Sequence, residues 1–377
     1  MLEQWDKSRE IERDEVYRDL SVERKLELLS YLAVKKFEQE QYVLFEQAEI
    51  EGYIAEFFGI GVRESRGVLR AIESQHGLLI ERARELWSFS HLTFQEYLVA
   101  KWFYSQTAPT NLFNAITDHH WREVFLLVTE MSSNVEEFLL VMKSEIDLLP
   151  DLSPMLTTFL TWLYNKALTV EAEIETPYSL LIVRAFYFEH CLLYFFSHQG
   201  LAIRAGFPAG GAMEGFMALD SCLIDTFNSG MCWLGGRDCF LGDVENIVSH
   251  FVKVFDVNCC QNAYEDNLRQ FLEHLRDQLP SSDEDLDVCF GWWAQNGRVW
   301  LSDLCKAIDY RKLMWINGKE LNEEGKNHFR KYHTLNWLLL DCSNISYLVT
   351  SNVRQEIQET LLLPIAEIEK RNRKKVE

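Results

Sequence analysis

The stretch from Ser88 to Ala100, reading Ser-Phe-Ser-His-Leu-Thr-Phe-Gln-Glu-Tyr-Leu-Val-Ala, limits what this chain can fold into more than any other part of it. Two apolar arms precede its helical half, Gly77 to Arg82 and Glu85 to Phe89, about a short Ala83-Arg84 turn, and this predicts a β-hairpin. A helix starting near His91 then places Leu92, Gln95, Glu96 and Val99 on one face, with Phe94, Tyr97, Leu98 and Lys101 on the neighbouring stripe. His91 falls at the N-terminal end of that helix, where unpaired backbone N–H groups and the helix dipole favour an anion. A histidine there can reach a phosphate. On chemistry alone, a histidine that caps or packs the helix end is the simpler reading.

Residues 1–105 read as one small α/β unit. Val22 to Phe37 carries Leu26, Leu29, Ala33 and Phe37 at helical spacing behind a Ser21 cap. Tyr42 to Phe45 is a short strand candidate, followed by helices around Ile50 to Phe58 and Glu64 to Gln75 and then by the hairpin. That order predicts a winged helix with the hairpin as its wing. Such a fold raises the question of DNA binding. The recognition helix would need a surplus of Arg and Lys, yet Arg63, Arg66 and Arg70 are offset by Glu64 and Glu73.

Residues 106–175 hold further amphipathic helices, Trp121 to Val128, Val135 to Met142 and Met155 to Leu168, and short connections predict an antiparallel helical connector. The polar break from Glu171 to Pro177 is the best domain boundary. Residues 176–377 are aromatic-rich, helical and cysteine-bearing, with Leu180 to Phe196 as the strongest buried-helix candidate and Pro280 to Asp285 as a polar linker. The expected fold is therefore mainly α: a winged-helix domain with a small β-hairpin, followed by helical bundle or repeat-like domains.

Composition narrows the function classes. The chain of 377 residues is 47% hydrophobic and carries a net charge of −21, which argues against broad attraction to nucleic acid or anionic lipid. Its one basic concentration, Lys370 to Lys375, reads as a solvated helix end. Nine cysteines without regular spacing suggest reduced thiols, the amino terminus does not read as a leader, and no apolar run is long enough to span a membrane, so a cytoplasmic location is expected.

Several patterns invite chemistry and fall short of it. No G-x-x-x-x-G-K run followed by Ser or Thr occurs, nor an acidic strand shaped to bind magnesium, so the chain is not expected to be an enzyme hydrolysing ATP on its own. Cys232, Cys239, Cys259 and Cys260 share a region with His190, His198 and His250, but paired C-x-x-C spacing is missing and no metal is expected. Arg184 with His190, and Arg269 with His274, fit the spacing of a HEPN-type ribonuclease. Chance supplies such pairs in a helical chain with ten histidines. A working site of that kind needs two pairs meeting across a dimer. No G-x-S-x-G elbow accompanies the serines and histidines, so no catalytic residues are assigned.

The run Phe89-x-His91-x-Thr93-Phe94-Gln95-Glu96-Tyr97-x-x-Ala100 closely resembles the end of the winged-helix domain in NACHT-type signal-transduction NTPases. The order of elements across residues 1–105 resembles that domain along its length, as do Gln4 to Arg9 and Ile11 to Tyr17 at its start. Arg184 to Tyr187, Trp292-Trp293 and Val353 to Pro364 resemble the C-terminal helical domain of bacterial NACHT proteins, although Gly200 to Cys260 lacks the regular short segments of many relatives. The resemblance implies a C-terminal regulatory or sensor part of such an NTPase. His91 would contact the β-phosphate of ADP held by the NTPase module, and Gln95 and Glu96 would brace the domain. It implies no cofactor on the chain alone, ADP or ATP with the module, and the NACHT module as partner in cis or in trans, with room for a protein trigger. It also implies a nucleotide-dependent switch in bacterial antiphage defence or signalling. A separately encoded module, a split gene, or a chain that begins within a larger protein would each account for the missing P-loop. A stand-alone interaction scaffold is the alternative from another class.

Overall fold

The computed structural model describes residues 20–105, 110–173, 179–192, 219–227, 266–280, 286–313 and 322–376. In chain order the elements are α1 (Val22–Phe37), β1 (Phe45–Glu46), α2 (Gln47–Phe58), α3 (Val62–His76), β2 (Leu79–Ala83), β3 (Leu86–Phe89), α4 (Leu92–Tyr104), α5 (Thr110–Phe113), α6 (Arg122–Met131) and α7 (Val135–Leu148). Then follow α8 (Pro154–Glu173), α9 (Leu180–Leu192), α10 (219–227), α11 (Asp266–Asp277), α12 (Leu286–Tyr310), α13 (Glu323–Ile345), α14 (Ser351–Thr360) and α15 (Ile365–Val376). The fold is mainly helical with one small antiparallel sheet. It divides into two compact units, residues 1–142 with 341–350, and residues 143–340 with 351–377.

In the first unit, the Ser21 hydroxyl accepts the Arg24 N–H at 3.2 Å and starts α1. Leu28, Leu29, Leu32, Ala33 and Phe37 are sealed from solvent along one face, and α4 packs against both α1 and α6. The sheet runs in the order β1-β3-β2, so the central strand β3 buries Trp87 and Phe89. On the β1 side only Phe45 and Glu46 pair with β3, so the strand is shorter than the expected Tyr42 to Phe45. The cause is local: Gln41 Oε1 takes the N–H groups of Val43 and Leu44 at 2.9 and 2.8 Å, which bends this stretch out of the ladder. In the wing, Ile80 faces Ser88 and Glu81 faces Trp87, but Ala83 faces Leu86, leaving Arg82 as the extra residue of a β-bulge. The turn falls on Arg84 and Glu85, one residue later than alternation predicts. Glu85 takes φ of 62° there, held by its N–H on Glu81 Oε1 at 3.0 Å and its carbonyl on the Gln47 N–H at 2.9 Å.

In the second unit, α8 packs on α9, α9 meets α14, and α11 packs on α12. The fully buried Asp220 of α10 ties α8, α9 and the end of α12 together. Its Oδ1 accepts Arg311 Nε at 2.7 Å, while its Oδ2 accepts Tyr187 Oη–H at 2.6 Å and lies 2.7 Å from Lys166 Nζ. Arg184 of α9 is buried without a carboxylate in its hydrogen bonds. It donates to the carbonyls of Leu361, Gln358 and Glu359 at 3.0, 3.4 and 3.1 Å, so its fork closes the C-terminal end of α14, where the helix dipole favours a cation. Burial pushes its guanidinium down to about 10, still charged at neutral pH.

Candidate functional site

β3 feeds directly into α4, and the joint between them presents His91. The residue is the N-cap of α4 with extended backbone, φ −137° and ψ 144°. Its carbonyl accepts the Phe94 N–H at 3.2 Å and closes the first turn, but its side chain makes no capping bond. The ring stands edge-on to Phe94 at 5.7 Å and is exposed. An imidazole here faces solvent beside the unpaired N–H groups of a helix start, the arrangement that suits an anion. Leu92, Tyr97 and Tyr104 on the same helix are also exposed, at 41%, 44% and 46%.

The other polar residues of the stretch point elsewhere. Gln95 is buried and donates from Nε2 to the Tyr42 carbonyl at 2.7 Å, pinning α4 to the loop between α1 and β1. That loop is held in turn by His120, which stacks on Tyr42 at 4.5 Å. Glu96 is half-buried, and burial, with the nearby Glu123 adding to it, holds its carboxyl above the usual range. It therefore sits in α4 at a cost to the fold.

Against this geometry, a family model for the winged helix-turn-helix domain C-terminal to NACHT matches residues 1–103. A second, NACHT C-terminal helical domain 2, matches residues 268–364. The chain carries the C-terminal part of a NACHT protein. Comparison with curated proteins and with solved structures gave no match.

In this chain the winged helix keeps its shape while two arginines of its reading helix are paired internally. Arg66 of α3 meets the buried Glu51 at 2.8 Å, and Arg70 meets Glu73 and Glu81 at 3.1 and 2.9 Å while lying over the Trp87 ring at 4.9 Å. Only Arg63 of the three makes no ion pair among the described residues. A phosphate backbone would have to compete with those carboxylates. The basic end of α15 is likewise engaged: Arg371 pairs with Glu359 and Glu356, Lys375 with Glu356, Lys370 with Glu367 and Arg373 with Glu369.

The remaining candidates separate. Arg184 is spent on helix carbonyls, and the side chain of His190 lies outside the described residues. Arg269 pairs with Glu273 at 3.2 Å, and His274 is exposed on the same helix. Of the soft ligand set, Cys232, Cys239, Cys259, Cys260, His198 and His250 lie outside the described residues, as does the side chain of His190. Among the described residues no group of three or more His, Cys, Asp or Glu could hold a metal, and no helix is long and apolar enough to cross a membrane. Arg82, which hydrogen-bonds Ser88, Phe89 and Ser90 beside His91, is the side chain at this joint that sequence reasoning passed over, because a β-bulge leaves no mark in a period-two pattern.

Proposed function

We propose that this chain is the regulatory part of a NACHT-type signal-transduction NTPase, in which the winged helix closes over ADP bound to the NTPase module and His91 contacts a phosphate. The helical part restrains or senses. ATP or a trigger shifts the balance toward an open state by favouring a different set of interdomain contacts. On this reading the chain performs no hydrolysis itself and works in the cytoplasm in bacterial signalling or antiphage defence. The single observation that supports it is the exposed His91 ring at the start of α4, which takes no part in capping its own helix.

The test is His91→Ala with the NACHT NTPase module joined to the chain. Loss of one hydrogen bond to a charged group, ~1.5–3 kcal/mol, speeds ADP release by roughly 10- to 100-fold. Urea unfolding of the chain alone is expected to stay unchanged, because the ring supports little of the fold. Unaltered ADP release would leave the interaction scaffold as the better account.

A further inference from the structure

Arg82 stands out as an exposed residue whose side chain grips three consecutive residues. Its Nε donates to Ser88 Oγ at 3.0 Å, and its Nη2 donates to the carbonyls of Phe89 at 3.4 Å and Ser90 at 2.8 Å. Those three residues are the last of β3 and the joint that leads into His91. The reach depends on the bulge. Arg82 has no partner opposite it in the register, and an extra residue in one strand turns its side chain away from regular alternation.

We propose that Arg82 is the positioning residue for His91. The inference rests on the reading of His91 as a phosphate contact. The Ser90 carbonyl belongs to the same planar peptide as the His91 N–H, so fixing that oxygen fixes the plane from which His91 departs. One side of the same residue is held by the Ser90 N–H on the Leu78 carbonyl at 2.8 Å, and Arg82 holds the other. Sheet pairing of Leu79 with Phe89 and Ile80 with Ser88 does not involve Arg82, and buried Trp87 and Phe89 keep β3 in place without it. Arg82 therefore sets the aim of the joint rather than the existence of the hairpin. A planar fork with several donors suits this task, and a lysine ammonium cannot reproduce it.

Two measurements on the full chain decide the matter. In Arg82→Gln, amide hydrogen exchange is expected to quicken by roughly tenfold at Ser90, His91 and Leu92 while the β2–β3 amides keep their protection. Quickening across the whole hairpin would make Arg82 a plain structural support and overturn the proposal. With the NTPase module joined, ADP release is then compared for Arg82→Gln, Arg82→Lys, His91→Ala and the Arg82→Gln/His91→Ala pair. Arg82→Gln is expected to speed release by roughly three- to tenfold, Arg82→Lys to behave like it, and the pair to match His91→Ala alone. Additive effects, or full rescue by lysine, would show that Arg82 acts by its own charge and sink the proposal. A normal Arg82→Gln beside a defective His91→Ala overturns the positioning role only, whereas a normal His91→Ala overturns the phosphate reading and this inference with it.

Discussion

Replacing Asp220 with asparagine removes a negative charge from a site that holds two cations. Lys166 and Arg311 are 3% and 8% exposed, and Asp220 is completely buried. The amide keeps one acceptor where the carboxylate satisfied Arg311, Lys166 and Tyr187 together, and its NH2 group would face donors. Breaking a buried ion pair from one side costs ~3–5 kcal/mol, a large part of the ~5–15 kcal/mol that holds a domain together. With a urea slope of about 2 kcal/mol/M, the midpoint of the unit that contains Asp220 falls by roughly 2 M. The assay is urea unfolding followed both by tryptophan fluorescence and by hydrogen exchange at α8 and α10, because two units need not melt together. The effect also carries a pH signature. Burial alone would raise the Asp220 carboxyl, but the charges and hydrogen bonds of Lys166 and Arg311 outweigh it and hold the group below its ordinary value. A depressed carboxylate contributes its full stability above the unfolded value of ~3.9 and loses it as pH falls through the folded one, so wild type and variant converge in acid. A loss under about 1 kcal/mol at neutral pH, or a gap that does not close in acid, would refute the reasoning.

Glu96→Gln is expected to stabilise the winged helix at neutral pH, since a carboxyl raised by burial and by Glu123 costs the fold once it ionises. That advantage shrinks as pH falls and is gone well below the unfolded value of ~4.3, where the glutamate is protonated in both states, and urea midpoints at neutral and acid pH measure it. Within α12, Gly297→Ala is expected to lose about 1–2 kcal/mol, because an added β-carbon would meet Trp293 Cε3 at 2.5 Å and that ring is buried edge-on to Trp300 at 5.5 Å. Gly291→Ala, with nothing within 4 Å of its new carbon, is expected to gain ~0.5–1 kcal/mol on helix propensity alone, and paired thermal melts separate the two.

The sequence made α1 legible from end to end, since the Ser21 cap and the leucine spacing act within one helix. The wing and the start of α4 were equally readable, because apolar arms and a helix start are local signals. What escaped depended on contacts distant in the chain or on single backbone irregularities. Gln41 shortened the first strand by a side-chain bond that no propensity records, and the bulge at Arg82 moved the wing turn by one residue. Asp220 gave no hint of its importance, because its partners lie 33 to 91 residues away. For the site, the place of His91 at the helix start was readable and the brace by Gln95 was expected, but the Arg82 side chain that hydrogen-bonds the joint was not.

The arginines of α3 carry a lesson about inherited shape. Each of Arg66 and Arg70 is answered by an acid of its own domain, Glu51 for one and Glu73 with Glu81 for the other. An architecture associated with reading genes thus has two cations of α3 neutralised within the domain rather than deleted. Freeing that helix for a phosphate backbone would require disarming several acids at once, Glu51, Glu73 and Glu81 among them, which the drift of one or two surface residues would not accomplish.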